Sequence, residues 1–153
     1  DCFDAGGDNS TLPLTAADVT DPTWDGKFIF NTDSPFDWHQ ANPDDTLWQG
    51  VNGTNNPCPE GYRVPTETEW QAEMNSWATD DASGAFESPL ALPVAGDRRF
   101  DDGSVSSAGS NGYYWSSTFF SSTSASYARF FSSNALRGSF NRAFGLSVRC
   151  IKD

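Results

Sequence analysis

The chain has 153 residues, 21 Asp/Glu against nine Lys/Arg, a net charge of −12, and 14% aromatic residues including six tryptophans. That length suits one domain, 1–153, able to bury a core, and the aromatic content argues against disorder. No apolar run approaches the roughly 18–20 residues a membrane-spanning helix needs, and so acidic a body makes nucleic acid a poor partner.

The charge is unevenly placed. Residues 1–112 carry 20 Asp/Glu and four Lys/Arg, whereas residues 113–153 carry one and five. The acidic part reads as a solvated surface. The basic side chains of the second part, Arg129, Arg137, Arg142, Arg149 and Lys152, are scattered and make no phosphate-binding stripe. Cys2, Cys58 and Cys150 are an odd set: one disulfide with a thiol left over, or three reduced thiols. There is no CxxC, and the single His39 has no Cys neighbour, so no zinc site is expected. No leader pattern is visible, and the chain opens at Asp1, which fits a trimmed or processed chain.

In chain order, residues 1–26 are turn-rich, and "KFIFN" (27–31) reads as a strand. Residues 32–57 form a long irregular stretch with Trp38, His39 and Trp48. Such a stretch inside one domain is functional or packed by its own aromatics. "VPTETEWQAEMNSWA" gives the clearest local signal. Thr66 and Glu69 make a capping box, and Trp70, Met74 and Trp77 fall at i, i+4 and i+7, so a helix with a core-facing stripe is predicted over 67–78. "LALPVAG" (90–96) is extended, limited by Pro93 to an edge or turn, and Asp102-Gly103 marks a turn. "GYYWSST" (112–118) and "SYARFFS" (126–132) read as strands separated by a serine-rich loop. In "GLSVRCIKD" Leu146, Val148 and Cys150 alternate with polar residues, as in a half-buried strand.

Three segments, "NPCPEGYRVPTETEW" (56–70), "YYWSST" (113–118) and "NRAFGLSVRCIKD" (141–153), together carry a family likeness. They resemble the bacterial "major paralogous" extracellular domains, distant relatives of the formylglycine-generating-enzyme branch of the C-type lectin fold. The resemblance covers about two thirds of the chain. It implies an α+β, C-type lectin-like fold, with short helices on small antiparallel sheets and much irregular loop. In that fold the last strand returns beside the first, and a helix near the front packs on the closing strand. A bridge between Cys58 and Cys150 would suit this arrangement. Trp115 and the run Asn141, Arg142, Ala143 would brace the loops.

The same fold and ending serve the variable proteins of diversity-generating retroelements, and the likeness is greatest to those of phages and archaeal viruses. There, adenine-directed mutagenesis scatters asparagine codons into many residue types, but not Lys, Glu, Gln, Met or Trp. None of those five occurs between Ser116 and Phe144. The region 116–144 is therefore the expected variable binding region, with Phe119, Phe120, Ser121, Ser122, Ser124, Ser126, Arg129, Phe131, Leu136, Ser139, Phe140 and Phe144 as candidate contacts. Aromatic residues and Arg among serines form a paratope-like mixture. Period-2 alternation in "SYARFFS" turns Phe130 inward and Phe131 outward.

The resemblance implies a non-catalytic display protein that recognises a protein or glycan on a cell or host surface, from an extracellular, cell-surface or virion location. The runner-up is a structural or adhesive extracellular module without a variation system. A formylglycine-type enzyme stands third, because the late region offers Cys150 alone where that chemistry needs a cysteine pair. The tripeptides of calcium-dependent lectins (Glu-Pro-Asn, Gln-Pro-Asp, Trp-Asn-Asp) are absent, and "NPDD" (42–45) and "FDDG" (100–103) read as Asx turns rather than cation sites. No metal and no cofactor are expected. Two sequons, at Asn9 and Asn52, would mean little in a prokaryotic or viral protein.

Overall fold

The computed structural model describes residues 4–5, 27–29, 31–32, 34–37 and 44–153. Cys2, Asn9, Trp38, His39 and the first half of "NPDD" lie outside them.

The described residues form an α+β arrangement with few helices and small, mostly antiparallel sheets. Strands β1 (Asp4–Ala5) and β2 (Lys27–Phe28) pair in parallel. Strand β3 (Tyr62–Arg63) leads into helix α1 (Glu67–Asn75), and α2 (Ala82–Glu87) follows. Strands β4 (Asp97–Arg98) and β5 (Val105–Ser106) make a short hairpin around the Asp102-Gly103 turn. A three-stranded meander then runs through β6 (Gly112–Ser121), β7 (Ser124–Phe131) and β8 (Asn134–Asn141). The chain closes with β9 (Ile151–Lys152) antiparallel to β3, and Cys58 is bridged to Cys150 beside that pair. No helix among the described residues is long and apolar enough to cross a membrane.

Both halves of the capping box form. The Glu69 N–H donates to Thr66 Oγ1, and the Thr66 N–H donates to the Glu69 carboxylate at 2.8 Å. The helix ends three residues before the expected position. The Ser76 hydroxyl donates to the Glu73 carbonyl at 2.6 Å, as does its N–H, and this closes the last turn. Trp77 still packs edge-on against Phe130 from beyond the helix.

The meander has two covered faces, because successive side chains of a strand point opposite ways. On the helix side, Tyr114, Ala128 and Phe130 pack with Trp70, Met74, Ala85 and Leu92. The Trp70 indole N–H donates to the Trp115 carbonyl, which locks α1 to β6. On the other face Tyr113, Trp115 and Tyr127 pack with Trp48, Ala125, Phe140, Phe144 and Leu146.

Four expectations are corrected. The serine-rich stretch after 118 is not a loop: β6 and β7 run through it, and only Ser122 and Thr123 turn the chain. The backbone ladder holds these serines in strands despite their low β-propensity. Among the described residues, the strand expected over 27–31 pairs only at Lys27–Phe28. The strand expected over the last nine residues is regular only at Ile151–Lys152, with single bridges from Gly145 to Arg98 and Ser147 to Tyr114. Its alternation is broken, since Val148 is exposed. The closing strand lies beside β3, not beside the first strand.

Candidate functional site

The β6–β7 hairpin ends in a tip that carries the largest apolar exposure of the meander. Phe119 and Phe120 are 49% and 58% exposed. Register shifts in β6 between Trp115 and Phe119, and between Phe119 and Ser121, interrupt the regular pairing there. An irregularity of this kind re-aims side chains at a sheet end, and here two successive phenylalanines stay in solvent.

Beneath the tip lies a cavity of about 580 Å³. Its apolar wall is built from Trp48, Trp115, Phe119, Phe144, Leu146 and Val148, and Gln49, Ser117 and Arg142 supply polar groups. Gln49 Nε2 donates to the Ser117 carbonyl at 2.6 Å, which ties the irregular segment to β6.

Arg142 holds the tip in place. Its guanidinium ion-pairs with Asp37, whose side chain is 1% exposed, and with Asp45. Nη2 also donates to the Ser121 carbonyl at 2.8 Å, and the group lies 5.8 Å from the centre of the Phe119 ring. One side chain thus joins the hairpin to the acidic segment that ends at Asp45. Next to it the Ala143 N–H donates to the Phe36 carbonyl. Asp44 Oδ1 accepts from the N–H and hydroxyl of Thr46, and Asp102 Oδ1 from the Ser104 N–H; both are Asx-type turns.

The twelve candidate contacts do not form one patch. Phe119, Phe120, Ser121, Ser122 and Ser124 cluster at the tip, and Phe119, Ser124 and Phe144 line the cavity. Arg129, Phe131 and Leu136 sit toward the opposite end of the sheet. Ser126 is 1% exposed and lies on the helix-facing side with Ala128, so it is not a surface contact; Ser139, its register partner, shares that face. Phe140 is held between Tyr127 and Phe144, at 4.7 and 4.4 Å between ring centres, and belongs to the packing. Phe130 is fully buried, as its alternation predicts. Phe131 is only half-buried rather than free, because the Arg129 guanidinium covers its ring at 4.5 Å. Burial pushes the Tyr127 phenol above its ordinary range.

Sequence reasoning missed the roles of Trp48, Gln49, Leu146 and Val148 at the cavity. The available signal was the aromatic content of the irregular stretch before residue 57. The chemistry on offer is burial of an apolar group against indole and phenyl rings, with amide and hydroxyl groups at the rim. No family model, curated protein or solved structure matches this chain.

Proposed function

We propose that this is a non-catalytic ligand-binding display protein on a C-type lectin-like scaffold, whose 116–144 region recognises a protein or glycan on a cell or host surface. The observation that carries the reading is the pair Phe119 and Phe120, exposed among serines at the lip of an aromatic-walled cavity. Covering the exposed half of each ring on binding is worth about 1 kcal/mol, and the neighbouring serines add adaptable hydrogen bonding at little entropic cost. The Cys58–Cys150 bridge supports an extracellular, cell-surface or virion location, since such bonds persist in oxidising surroundings. The absence of Lys, Glu, Gln, Met and Trp from 116–144 supports origin by adenine-directed mutagenesis.

Two experiments test this separately. Changing Phe119 and Phe120 together to Ser is expected to abolish target binding while the chain stays folded, read by circular dichroism; intact binding sinks the recognition reading. The source genome should hold a reverse transcriptase and a template repeat that differs from the 116–144 coding region only at adenines. Lack of both removes the retroelement from the account.

A further inference from the structure

The far end of the meander carries an arginine that reaches no carboxylate among the described residues. Arg129 of β7 shares a face with its register partners, Tyr113 of β6 and Leu136 of β8. Its guanidinium carbon lies 5.4 Å from the centre of the Tyr113 ring and 4.5 Å from that of Phe131. Its Nε is buried with no hydrogen-bond partner. The Oδ1 of Asn134, which faces Phe131 across the β7–β8 turn, is buried without one as well.

Four of the other six arginines reach a carboxylate, and Arg98 donates to the Gly103 carbonyl. Arg63 reaches Glu69 and Asp153, Arg99 reaches Asp101, Arg137 reaches Glu67, and Arg142 reaches Asp37 and Asp45. Arg129 reaches no carboxylate among the described residues. Arg149 also has no ion pair among them, but it stands exposed to water. The sequence explains the difference. No Asp or Glu occurs between Asp102 and Asp153, so the meander has no carboxylate of its own. Glu67 is spent on Arg137, which projects from the opposite, helix-facing side. In a body of net charge −12, Arg129 is thus a cation without an ion-pair partner among the described residues.

Two rings restrain the guanidinium, so it loses little freedom when a ligand arrives. A planar fork of this kind suits a carboxylate. We propose that Arg129 recognises an Asp or Glu side chain of a partner protein, with Phe131 and Leu136 receiving an adjacent apolar residue. The apolar neighbours favour a polypeptide over an acidic glycan. The proposal rests on reading the protein as a binder and adds a partner chemistry at a place distinct from the tip.

The test is selection of random displayed peptides on the immobilised full chain. Recovered peptides should carry Asp or Glu beside an apolar residue. Converting that acid to its amide should weaken binding roughly tenfold or more. Arg129→Gln should erase the acid–amide difference at an unchanged melting temperature. Where Arg129→Gln does not fold, the difference should shrink in Arg129→Lys, which keeps the charge but not the fork. No recovered peptide, no acid enrichment, an affinity for a sialylated oligosaccharide equal to that for the recovered peptides, or a difference unchanged in the Arg129 variants overturns the proposal. Changing Phe119 and Phe120 to Ser should leave the acid–amide difference intact, so failure at the tip and failure at Arg129 are read apart.

Discussion

Glu69 is the most heavily bonded carboxylate near α1. It accepts from Arg63 Nη1 and Nη2 at 2.8 and 2.7 Å, and from the N–H and hydroxyl of Thr66. The Arg63 bonds chiefly, with the Thr66 bonds behind them, lower its pKa to about 2 from an ordinary 4.5. The folded state therefore holds this proton less tightly than the unfolded chain does. Its contribution to stability is complete above about pH 4.5 and shrinks as pH falls toward 2. Because the side chain is 38% exposed, water screens the pair and the contribution is about 1 kcal/mol. Urea unfolding of Glu69→Gln should show that loss at pH 7 and a flatter acid limb than the parent; parallel curves would refute it. Arg142 works in drier surroundings. Arg142→Met leaves the Asp37 carboxylate buried and frees the Ser121 carbonyl, at an expected cost of about 2 kcal/mol. The same variant should weaken target binding by loosening the tip, measured alongside stability. The Thr66–Glu69 box was legible in the sequence because its partners lie three residues apart. The Arg142 clamp was not, since its partners are about a hundred residues away and ion pairing has no local signature.

At the scale of elements, glycines decide how closely the meander packs. A Cβ on Gly112 would stand 2.2 Å from the Phe130 ring, which is fully buried and stacked on Tyr114. Gly112→Ala should therefore destabilise the protein by about 2 kcal/mol through overpacking, read as a shift in urea midpoint with unchanged slope. Gly138 plays the same part for Tyr127, whose hydroxyl would lie 2.6 Å from an added Cβ. That glycine also hid β8 from the sequence. Leu136, Gly138 and Phe140 keep period 2 on one face, but the middle position has no side chain to register it. Helix α2 escaped for a related reason. Gly84 interrupts a short run that Asp81 caps by accepting from the Ser83 and Gly84 N–H groups, and it is needed where Thr79 O would lie 2.0 Å from a Cβ. By contrast α1 announced itself through cap and stripe together. The strand geometry also constrains the proposed variation. Template adenines should fall in codons for the tip, 119–124, and for Arg129, Phe131 and Leu136. Codons for Tyr127, Ala128 and Phe130 should be spared, because their side chains are core. Sequencing the template repeat checks this, and adenines spread evenly over both sets would contradict it.

The molecule as a whole is divided by charge and clasped near its closing strand. The acidic first 112 residues attract the carboxylate-free meander through Arg137–Glu67 and the residue just after it through Arg142–Asp37, so the sequence asymmetry becomes contacts between segments. The clasp is local in space and distant in sequence. Tyr62–Arg63 pair with Ile151–Lys152, Arg63 bonds Asp153 at 2.6 Å, and Cys58 is joined to Cys150 across 92 residues. The two strands are only two residues each, too short to hold the chain end by backbone bonds alone. Cross-linking so long a loop restricts the unfolded chain by about 4–5 kcal/mol in the entropy account, a large share of the about 5–15 kcal/mol typical of a domain. Dithiothreitol should therefore lower the melting temperature steeply. A double variant, Cys58→Ala with Cys150→Ala, should melt where the reduced parent melts and be indifferent to the reductant. If the oxidised parent and the double variant melted together, the bridge would contribute nothing, and the β3–β9 pair with its Arg63 contacts would be the true clasp. The meander should respond differently, because its two hydrophobic clusters and its ladder do not include either cysteine. Hydrogen exchange under reduction is expected to quicken first in β3 and β9, while the amides of β6 and β7 around Tyr114 and Ala128 keep their protection.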